Sequence, residues 1–188
     1  MKEFRDLAAH PSSLSLSADD IVEFHLARIL LLIKICGRKK RIAGLTKFAK
    51  LDFFVRYPEF YLRAKSSVKD HPNPDTEPTG KRQSVESSMV RHHYGPWDKR
   101  YYQLLAQLSA FGLISVEKSK NTYNIELTET GAEYADKLSA DDAFDDLTTH
   151  MADVSKTFGG KNGTWLKNLI YQTFEEEVAD RPMGKDIL

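Results

Sequence analysis

The sequence has one cysteine, Cys36, in 188 residues. A single cysteine excludes an internal disulfide and a metal cluster held by several thiolates. Stability must then come from a hydrophobic core, and 41% hydrophobic with 29% charged residues is a composition that supports one core in a chain of this length. Because small secreted domains usually depend on disulfides, we expect a reducing cytoplasmic setting.

A long apolar run is also missing. The best stretch, residues 29–33, is bounded by Arg28 and Lys34, whereas a membrane-spanning helix needs about 20 consecutive apolar residues. Residues 1–20 carry acidic side chains and no apolar segment of signal-peptide length. We therefore expect neither a membrane segment nor a leader.

The net charge is zero, but the two parts of the chain have opposite signs. Residues 1–116 hold 19 Lys and Arg against 12 Asp and Glu, and residues 117–188 hold 8 against 15. Residues 37–50, GRKKRIAGLTKFAK, contain six cations and no acid. Such a segment is typical of a solvated loop or of a basic patch that binds phosphates.

Residues 88–131 show the most informative pattern. A short strand leads to the turn signal Tyr94-Gly95-Pro96, and Asp98 is placed to cap a helix that begins near Lys99. The apolar side chains of this helix recur at helical spacing, and they are Tyr101, Leu104, Leu105 and Leu108. Lys99, Gln103 and Gln107 lie on its opposite face.

Two alternating segments follow that helix. Ile114 and Val116 precede the polar turn 119–121, and Tyr123, Ile125 and Leu127 come after it. They predict a β-hairpin with Lys118 and Lys120 near its tip. Strand, helix and hairpin in this order are typical of the second half of a winged helix, so we expect a mainly α (α+β) fold with a hairpin wing.

Helices are predicted on both sides of this segment. Residues 21–36 form a helix, capped by Ser17 or Asp19, that is apolar around most of its girth. Thr46 is predicted to cap a second helix that stops at Pro58, and a short helical piece spans residues 59–64. Residues 65–84 are rich in Pro, Asp, Ser and Lys and predict a mobile loop. After the hairpin, residues 131–138 start another helix.

Residues 139–188 are predicted to form a helical extension of a domain that covers residues 1–138. One helix opens at Asp141 and Asp142, and another spans residues 164–178. The first carries a short heptad seam, formed by Ala140, Phe144, Leu147, Met151, Val154 and Phe158. Packing within the protein explains the seam, and a partner surface is the alternative. The candidate partner-binding residues are Phe144, Leu147, Met151, Trp165, Leu169 and Ile170.

Catalytic motifs are not found, and we expect a protein without enzymatic activity, metal or cofactor. Residues 159–164, GGKNGT, lack the order and the preceding strand of a phosphate-binding loop. Pro74-Asp75 resembles the start of a nuclease signature, but no lysine has an acid two positions before it. His92 and His93 alternate across a strand, which predicts one core and one surface histidine rather than a shared metal site.

Cations and polar side chains of the basic segment, the helix near Lys99 and the hairpin are the candidates for DNA binding. They are Arg38, Lys39, Lys40, Arg41, Lys47, Lys50, Lys99, Arg100, Gln103, Lys118 and Lys120.

Several of these segments together resemble a protein family. They are IVEFHLARILLLIKICG, LTKFAKLDFFVRYP, MVRHHYGPWDKRYYQLLAQLSAFGLI and LTETG. Over roughly residues 18–138, and more loosely at LKNLIYQTFEEE, they resemble the middle component of bacterial ABC-three-component defence systems, a group that includes the Lamassu-type accessory subunit. The coupling of the turn segment to LTKFAKLDFFVRYP is more specific than the winged-helix pattern alone.

The resemblance implies a non-catalytic winged-helix adaptor that accompanies an SMC-like coiled-coil ATPase and a nuclease effector in anti-phage or anti-plasmid defence. Its partners are then the ATPase, the effector and, through the complex, double-stranded DNA. The resemblance transfers scaffold positions rather than catalytic residues. They are Lys47, Lys50, Asp52 and Arg56 in the second helix, and Tyr94, Gly95, Pro96 and Trp97 in the turn.

Two other functions are compatible with the pattern. In a free-standing winged-helix transcription regulator, the helix near Lys99 would enter the major groove and Lys120 the flanking groove. Its exposed positions carry only two cations, fewer than sequence-specific readers usually show. A protein-binding module, for example one that neutralises a toxin, would use the same scaffold without contacting DNA.

Overall fold

The computed structural model describes residues 21–68, 89–120 and 122–187. Within these ranges the protein is mainly helical, with two small antiparallel sheets, which confirms the α+β class. Its α-helices are α1 Val22–Cys36, α2 Leu45–Arg56, α3 Pro58–Val68, α4 Tyr101–Ala110, α5 Glu129–Ser139, α6 Asp145–Phe158 and α7 Gly163–Thr173. A 3-10 turn, Asp142–Phe144, precedes α6, and a π-helical turn, Glu175–Ala179, follows α7.

The strands are β1 Arg41–Ala43, β2 Val90–His92, β3 Gly95–Trp97, β4 Ile114–Ser119 and β5 Thr122–Leu127. The predicted hairpin is confirmed: β4 and β5 pair antiparallel, with Val116 opposite Ile125. The sequence pattern did not predict β1, which adds to the far side of β5 and gives the strand order β1-β5-β4. A separate hairpin joins β2 to β3, where only a strand and a turn were expected.

Helix α1 lies at the centre of the core, as its apolar girth predicts. It contacts α5, α6, the β1-β5-β4 sheet and α2, and Ile29, Leu31, Leu32 and Ile33 are fully buried. The aliphatic side chains form a continuous core with the aromatic rings of α2 and α3. The predicted caps Ser17 and Asp19 lie outside the described residues.

The C-terminal helices belong to the same core. Phe158 of α6 packs on Phe54 of α2, with ring centroids 4.7 Å apart. Phe174, just after α7, packs on Phe60 of α3 at 4.8 Å. Residues 139–187 therefore complete the core around α2 and α3.

Several predicted boundaries differ from the structure. Helix α2 begins before Thr46, and Gly44, with φ +97°, occupies the position expected for the cap. Helix α3 continues to Val68, so the first four residues of the predicted 65–84 loop are helical, and residues 69–84 lie outside the described ranges. Helix α7 ends at Thr173 rather than at 178.

The expectation for the two histidines was wrong. Because His92 ends β2 and His93 lies in the turn, both are exposed, and their ring centroids are 5.1 Å apart. None of the helices in the described part of the chain is both long and apolar enough to cross a membrane.

Candidate nucleic-acid interface

Four consecutive exposed cations form a tight turn between α1 and β1. We call residues Arg38, Lys39, Lys40 and Arg41 the basic turn. Its end residues exchange two backbone hydrogen bonds, from Arg38 N to Arg41 O at 2.9 Å and from Arg41 N to Arg38 O at 3.2 Å. The basic turn is therefore a fixed feature of the sheet edge, and its four side chains are all exposed.

The two central residues of the basic turn adopt left-handed backbone conformations. Lys39 has φ +54° and Lys40 φ +59°, the pattern of a type I′ turn, in which Asn-Gly is strongly favoured. A left-handed conformation costs a residue with a side chain about 1–2 kcal/mol. The chain thus retains two lysines at positions where less costly residues exist, which is typical of a functional surface.

Lys118 and Lys120 lie at the other end of the sheet. Arg41 is opposite Glu126, and the β4–β5 hairpin closes at Ser119 and Thr122. Thr122 and Glu126 are four residues apart on β5, which is about 14 Å at the rise of an extended strand. Asn121, the third residue of the predicted turn, lies outside the described residues. The structure therefore places the two cations of the hairpin tip apart from the four cations of the basic turn.

The exposed face of α4 carries few charges. Gln103 is exposed, as predicted, but Tyr102, Ala106, Ser109 and Ala110 complete that face. Lys99 is exposed just before the helix. Within α4 itself, residues 101–110, there is no cation.

Arg100 and Asp98 belong to a polar network that fixes the start of α4. Asp98 Oδ2 lies 2.8 Å from Arg56 Nη1 and 2.7 Å from Arg100 Nη2. Although burial alone would raise the pKa of Asp98, hydrogen bonds from Arg100 and the charge of Arg56 lower it to about 2. The backbone N–H of Arg100, one residue before the helix, donates to Asp98 Oδ1 at 2.8 Å, and this is the predicted capping bond. Arg100 also bonds His25 and is not free for DNA.

A second buried ion pair, with a tyrosine bonded to it, joins helices α1, α2 and α4. Arg28 Nε lies 3.0 Å from Asp52 Oδ1, and both side chains are fully buried. The Tyr101 hydroxyl donates to Asp52 Oδ2 at 2.7 Å. The carboxylate of α2 thereby links α1 to α4, which explains a buried charge that the sequence pattern did not reveal.

Two of the predicted DNA-binding lysines are engaged by the protein itself. Lys50 is 1% exposed, and its Nζ donates to Pro96 O at 2.8 Å. Burial, with a smaller effect from the charge of Lys167, lowers the pKa of Lys50 to about 7. Lys47 is half-buried and donates to Gly159 O at 2.6 Å. The prediction that Lys50 is a surface phosphate ligand was wrong, because the β2–β3 hairpin covers it.

An open groove of about 320 Å³ lies between the start of α2, the β2–β3 hairpin, the start of α4 and the β4–β5 tip. We call it the aromatic groove, because Tyr94, Trp97, Tyr102 and Tyr123 line it. A second cavity of about 260 Å³ adjoins it through shared residues, including Gly44, Tyr94 and Thr122, and adds Lys47 and Lys167. Of the four aromatic residues, Tyr94 and Trp97 were expected only as scaffold positions and Tyr123 only as part of the hairpin, and Tyr102 was not predicted to have a role.

The candidate partner-binding residues fall into two groups. Met151 and Ile170 are fully buried and Leu169 is 8% exposed, so their side chains pack in the core and cannot meet a partner. Phe144, Leu147 and Trp165 are half-buried. The heptad seam therefore packs largely inside the protein. Internal packing was the preferred explanation for a seam this short.

Residues 21–68, 89–120 and 122–187 contain no group of three or more His, Cys, Asp or Glu side chains that could hold a metal ion. Cys36 is buried, and burial raises the pKa of its thiol to about 12, so this thiol is not a reactive nucleophile. Comparison with known proteins found no match among family models, curated proteins or solved structures.

Proposed function

We propose that the chain is a winged-helix, DNA-binding accessory subunit of an SMC-like ATPase complex of the ABC-three-component (Lamassu) type. The observation that carries the DNA-binding part is the basic turn, with four adjacent exposed cations in a fixed and strained conformation. The choice of complex depends on the sequence resemblance over residues 18–138. The subunit would bridge the ATPase to DNA and to a nuclease effector without catalysing a reaction itself.

The order of elements supports a winged helix. Helix α1, strand β1, helices α2 and α4, and the β4–β5 hairpin follow one another as the fold requires, and β1 closes the sheet beside β5. Helix α3 and the β2–β3 hairpin are inserted between α2 and α4. In this interpretation α4 is the helix that regulators place in the major groove.

The charges favour an adaptor over a sequence-specific regulator. Helix α4 carries no cation, and the basic turn lies at the end of the sheet remote from the β4–β5 tip. Contacts from the basic turn would be made to phosphates, which give affinity without reading the base sequence. Such binding suits a subunit that holds DNA against an ATPase.

A partner surface is available at the start of α6. Phe144 and Leu147 are half-buried there, beside exposed carboxylates of Asp141, Asp142 and Asp145. Partly exposed apolar side chains flanked by charge of one sign suit a partner surface of opposite charge. We propose this region as the contact to the ATPase.

Co-purification with the ATPase encoded in the same operon tests the assembly. We expect a stable complex, and we expect Asp141→Lys, Asp142→Lys and Asp145→Lys together to weaken it in low salt, because they reverse the charge of the proposed contact. The matched control reverses three exposed glutamates elsewhere, Glu126, Glu129 and Glu133, and should leave the complex intact. Absence of any association between the unmodified subunit and the ATPase would contradict the proposal.

A transcription regulator is the second candidate, because Lys99 and Gln103 are both exposed at the start of α4, and glutamine can pair with adenine. A regulator would bind one palindromic operator as a lone dimer. The ATPase adaptor would bind duplex DNA of any sequence, so competition between specific and random duplexes separates the two.

A further inference from the structure

The aromatic groove combines exposed rings with a rigid support. Tyr94 is 58% exposed and Tyr102 is 64% exposed. Tyr102 lies on the polar side of α4, whereas Tyr101, Leu104, Leu105 and Leu108 make the helix's core contacts. Core packing therefore does not account for Tyr102, and its ring is available to a flat ligand.

Trp97 holds the groove wall in place. Its ring lies 5.5 Å from the ring of Tyr102, 5.0 Å from that of Tyr101 and 5.4 Å from that of His92. The β2–β3 hairpin that carries Trp97 is anchored to α2 by the hydrogen bond from Lys50 Nζ to Pro96 O. A wall fixed in this way loses little conformational freedom when a ligand binds.

The hairpin is also anchored by the C-terminal segment. Arg91 N donates to Lys185 O at 2.8 Å, and Ile187 N donates to Met89 O at 2.8 Å. Met89, just before β2, and Arg91, within β2, are thus tied to the C-terminal segment. This support preserves the shape of the groove before any ligand arrives.

The charge next to the groove is positive. Lys47 and Lys167 line the adjoining cavity. Lys50 also lines the groove, but its amine is buried and bonded to Pro96 O. Among the residues that the structure describes, no aspartate or glutamate lines either cavity. Lys167 makes no ion pair or hydrogen bond within the described ranges, so its amine can meet an anion. The hydroxyl-bearing residues Thr46 and Thr122 are shared by the two cavities and add polar partners.

We propose that the aromatic groove binds one unpaired nucleobase, with the neighbouring phosphate held at Lys167. Aromatic walls stack on any base, and flanking lysines attract the backbone, which is the usual chemistry of single-strand recognition. A volume of about 320 Å³ is at the lower end of ligand sites and suits one base rather than a duplex. The site is separate from the basic turn and does not depend on the ATPase.

Binding of a ten-residue thymidine oligonucleotide, followed by tryptophan fluorescence, tests this proposal with the purified subunit. We expect quenching that is absent in Trp97→Phe, because a base stacks beside Trp97. Tyr102→Ala should weaken binding about fivefold to 150-fold, the range expected when one stacked aromatic is removed. The matched control Tyr134→Ala, which removes an exposed tyrosine of α5, should bind as the unmodified protein does.

Three further probes identify the ligand. An abasic oligonucleotide of the same length keeps every phosphate, so it should bind at least fivefold more weakly than the thymidine strand. A ten-residue uridine oligonucleotide and free thymidine monophosphate distinguish an RNA strand or a free nucleotide from a DNA strand as the source of the base. Lys167→Ala should weaken each ligand that binds and should leave the fluorescence of the free protein unchanged.

Equal binding of the abasic and thymidine strands would overturn the proposal, as would unchanged affinity in both Tyr102→Ala and Lys167→Ala. Failure of all nucleic-acid probes, with Tyr102→Ala disrupting association with the ATPase, would assign the groove to a protein partner and also overturn it. Duplex binding through the basic turn would be unaffected by these outcomes, so the two proposals fail separately.

Discussion

Asp52 of α2 connects two other helices of the core, α1 and α4, through a single carboxylate. It accepts from Arg28 of α1 and from Tyr101 of α4, and neither Arg28 nor Asp52 has exposed side-chain surface. A buried charge is tolerated only while its partner stays in place. The alignment of α4 with the other helices therefore depends on this residue.

Replacing Asp52 with alanine should destabilise the protein by about 3–5 kcal/mol, because Arg28 would remain buried without its main counter-charge. Urea unfolding followed by circular dichroism measures this change. Asp136→Ala, which removes the carboxylate of the surface pair with Lys34, is the control and should barely move the midpoint. Similar midpoints for both variants would show that the buried pair has no special role.

Lys50 gives the protein a pH dependence near neutrality. Its pKa is about 7 in the folded protein, against 10.5 for an ordinary lysine, so between these values the unfolded chain binds more protons than the folded one. Stability must then rise with pH. We expect a gain on the order of 2 kcal/mol between pH 6.5 and pH 8.5 from this group.

Urea titrations at those two pH values test the assignment, with Lys50→Met as the control. The variant lacks the titrating amine, so its stability should change much less over the same range. An equal rise in both proteins would assign the effect to another group. The pH range ends below 9.0, the ordinary pKa of the Cys36 thiol. Above that pH, the raised pKa of the buried thiol makes stability fall with pH, opposite to the effect of Lys50.

Residue patterns predicted the apolar core better than the buried charges. Phe48, Leu51 and Val55 are buried as their spacing indicates. Lys50 and Asp52 alternate with them, and charged residues in such a pattern are normally exposed. They are buried because the inserted β2–β3 hairpin and α4 cover that face of α2, and neighbouring sequence carries no signal for this tertiary contact.

Among the elements, the basic turn combines the cations of the proposed DNA contact with a strained backbone. Lys39 and Lys40 occupy left-handed positions that asparagine and glycine adopt with less strain. Strain of this kind is expected to be retained where the side chains have a role. Removing the strain and removing the charge can be separated by the choice of substitution.

Lys39→Asn with Lys40→Gly should stabilise the protein by about 1–2 kcal/mol and weaken its binding to duplex DNA, because it relieves the backbone and removes two cations. Lys39→Ala with Lys40→Ala removes the same charges without relieving the left-handed conformation. It should weaken DNA binding equally and should not gain stability. Thermal unfolding measures stability, and fluorescence anisotropy measures DNA affinity. Equal stability of the two double variants would show that the left-handed lysines are not strained.

Elements with a long repeat were predictable, and short ones were not. Helix α1 and the β4–β5 hairpin follow clear periods of 3.6 and 2. Strand β1 has three residues, too few for a period, and exists because β5 offers a free edge. The start of α2 was misplaced because Gly44 turns the chain through a positive φ where Thr46 offered a familiar cap.

At the scale of the molecule, the opposite charges of the two parts are built on one core. The acidic C-terminal helices pack against α2 through Phe158 and against α3 through Phe174. The basic turn and the exposed aspartates before α6 are thus held by the same core. This arrangement supports a bridge between DNA and a basic partner surface.

The aromatic groove shows why part of the candidate interface could not be predicted. Its walls come from residues 44–46, 92–102 and 122–123, and Lys167 adjoins it from α7. The tyrosines of the groove lie far apart in the sequence, so no sequence motif identifies them as one site. The inserted hairpin and the packing of α7 bring the lining residues together.

The salt dependence of duplex-DNA affinity for the complex tests most directly whether the basic turn contacts DNA. The quadruple variant of the basic turn should bind more weakly than the unmodified subunit. It combines Arg38→Ala, Lys39→Ala, Lys40→Ala and Arg41→Ala. The slope of log affinity against log salt should also be shallower by up to about 3.6, since each phosphate contact contributes about 0.9.

The charge-matched control removes four exposed cations of the C-terminal part, Lys156, Lys161, Arg181 and Lys185, and should keep the original slope. That result would establish the basic turn as the DNA contact of the subunit. An unchanged affinity and slope in the basic-turn variant would contradict the account.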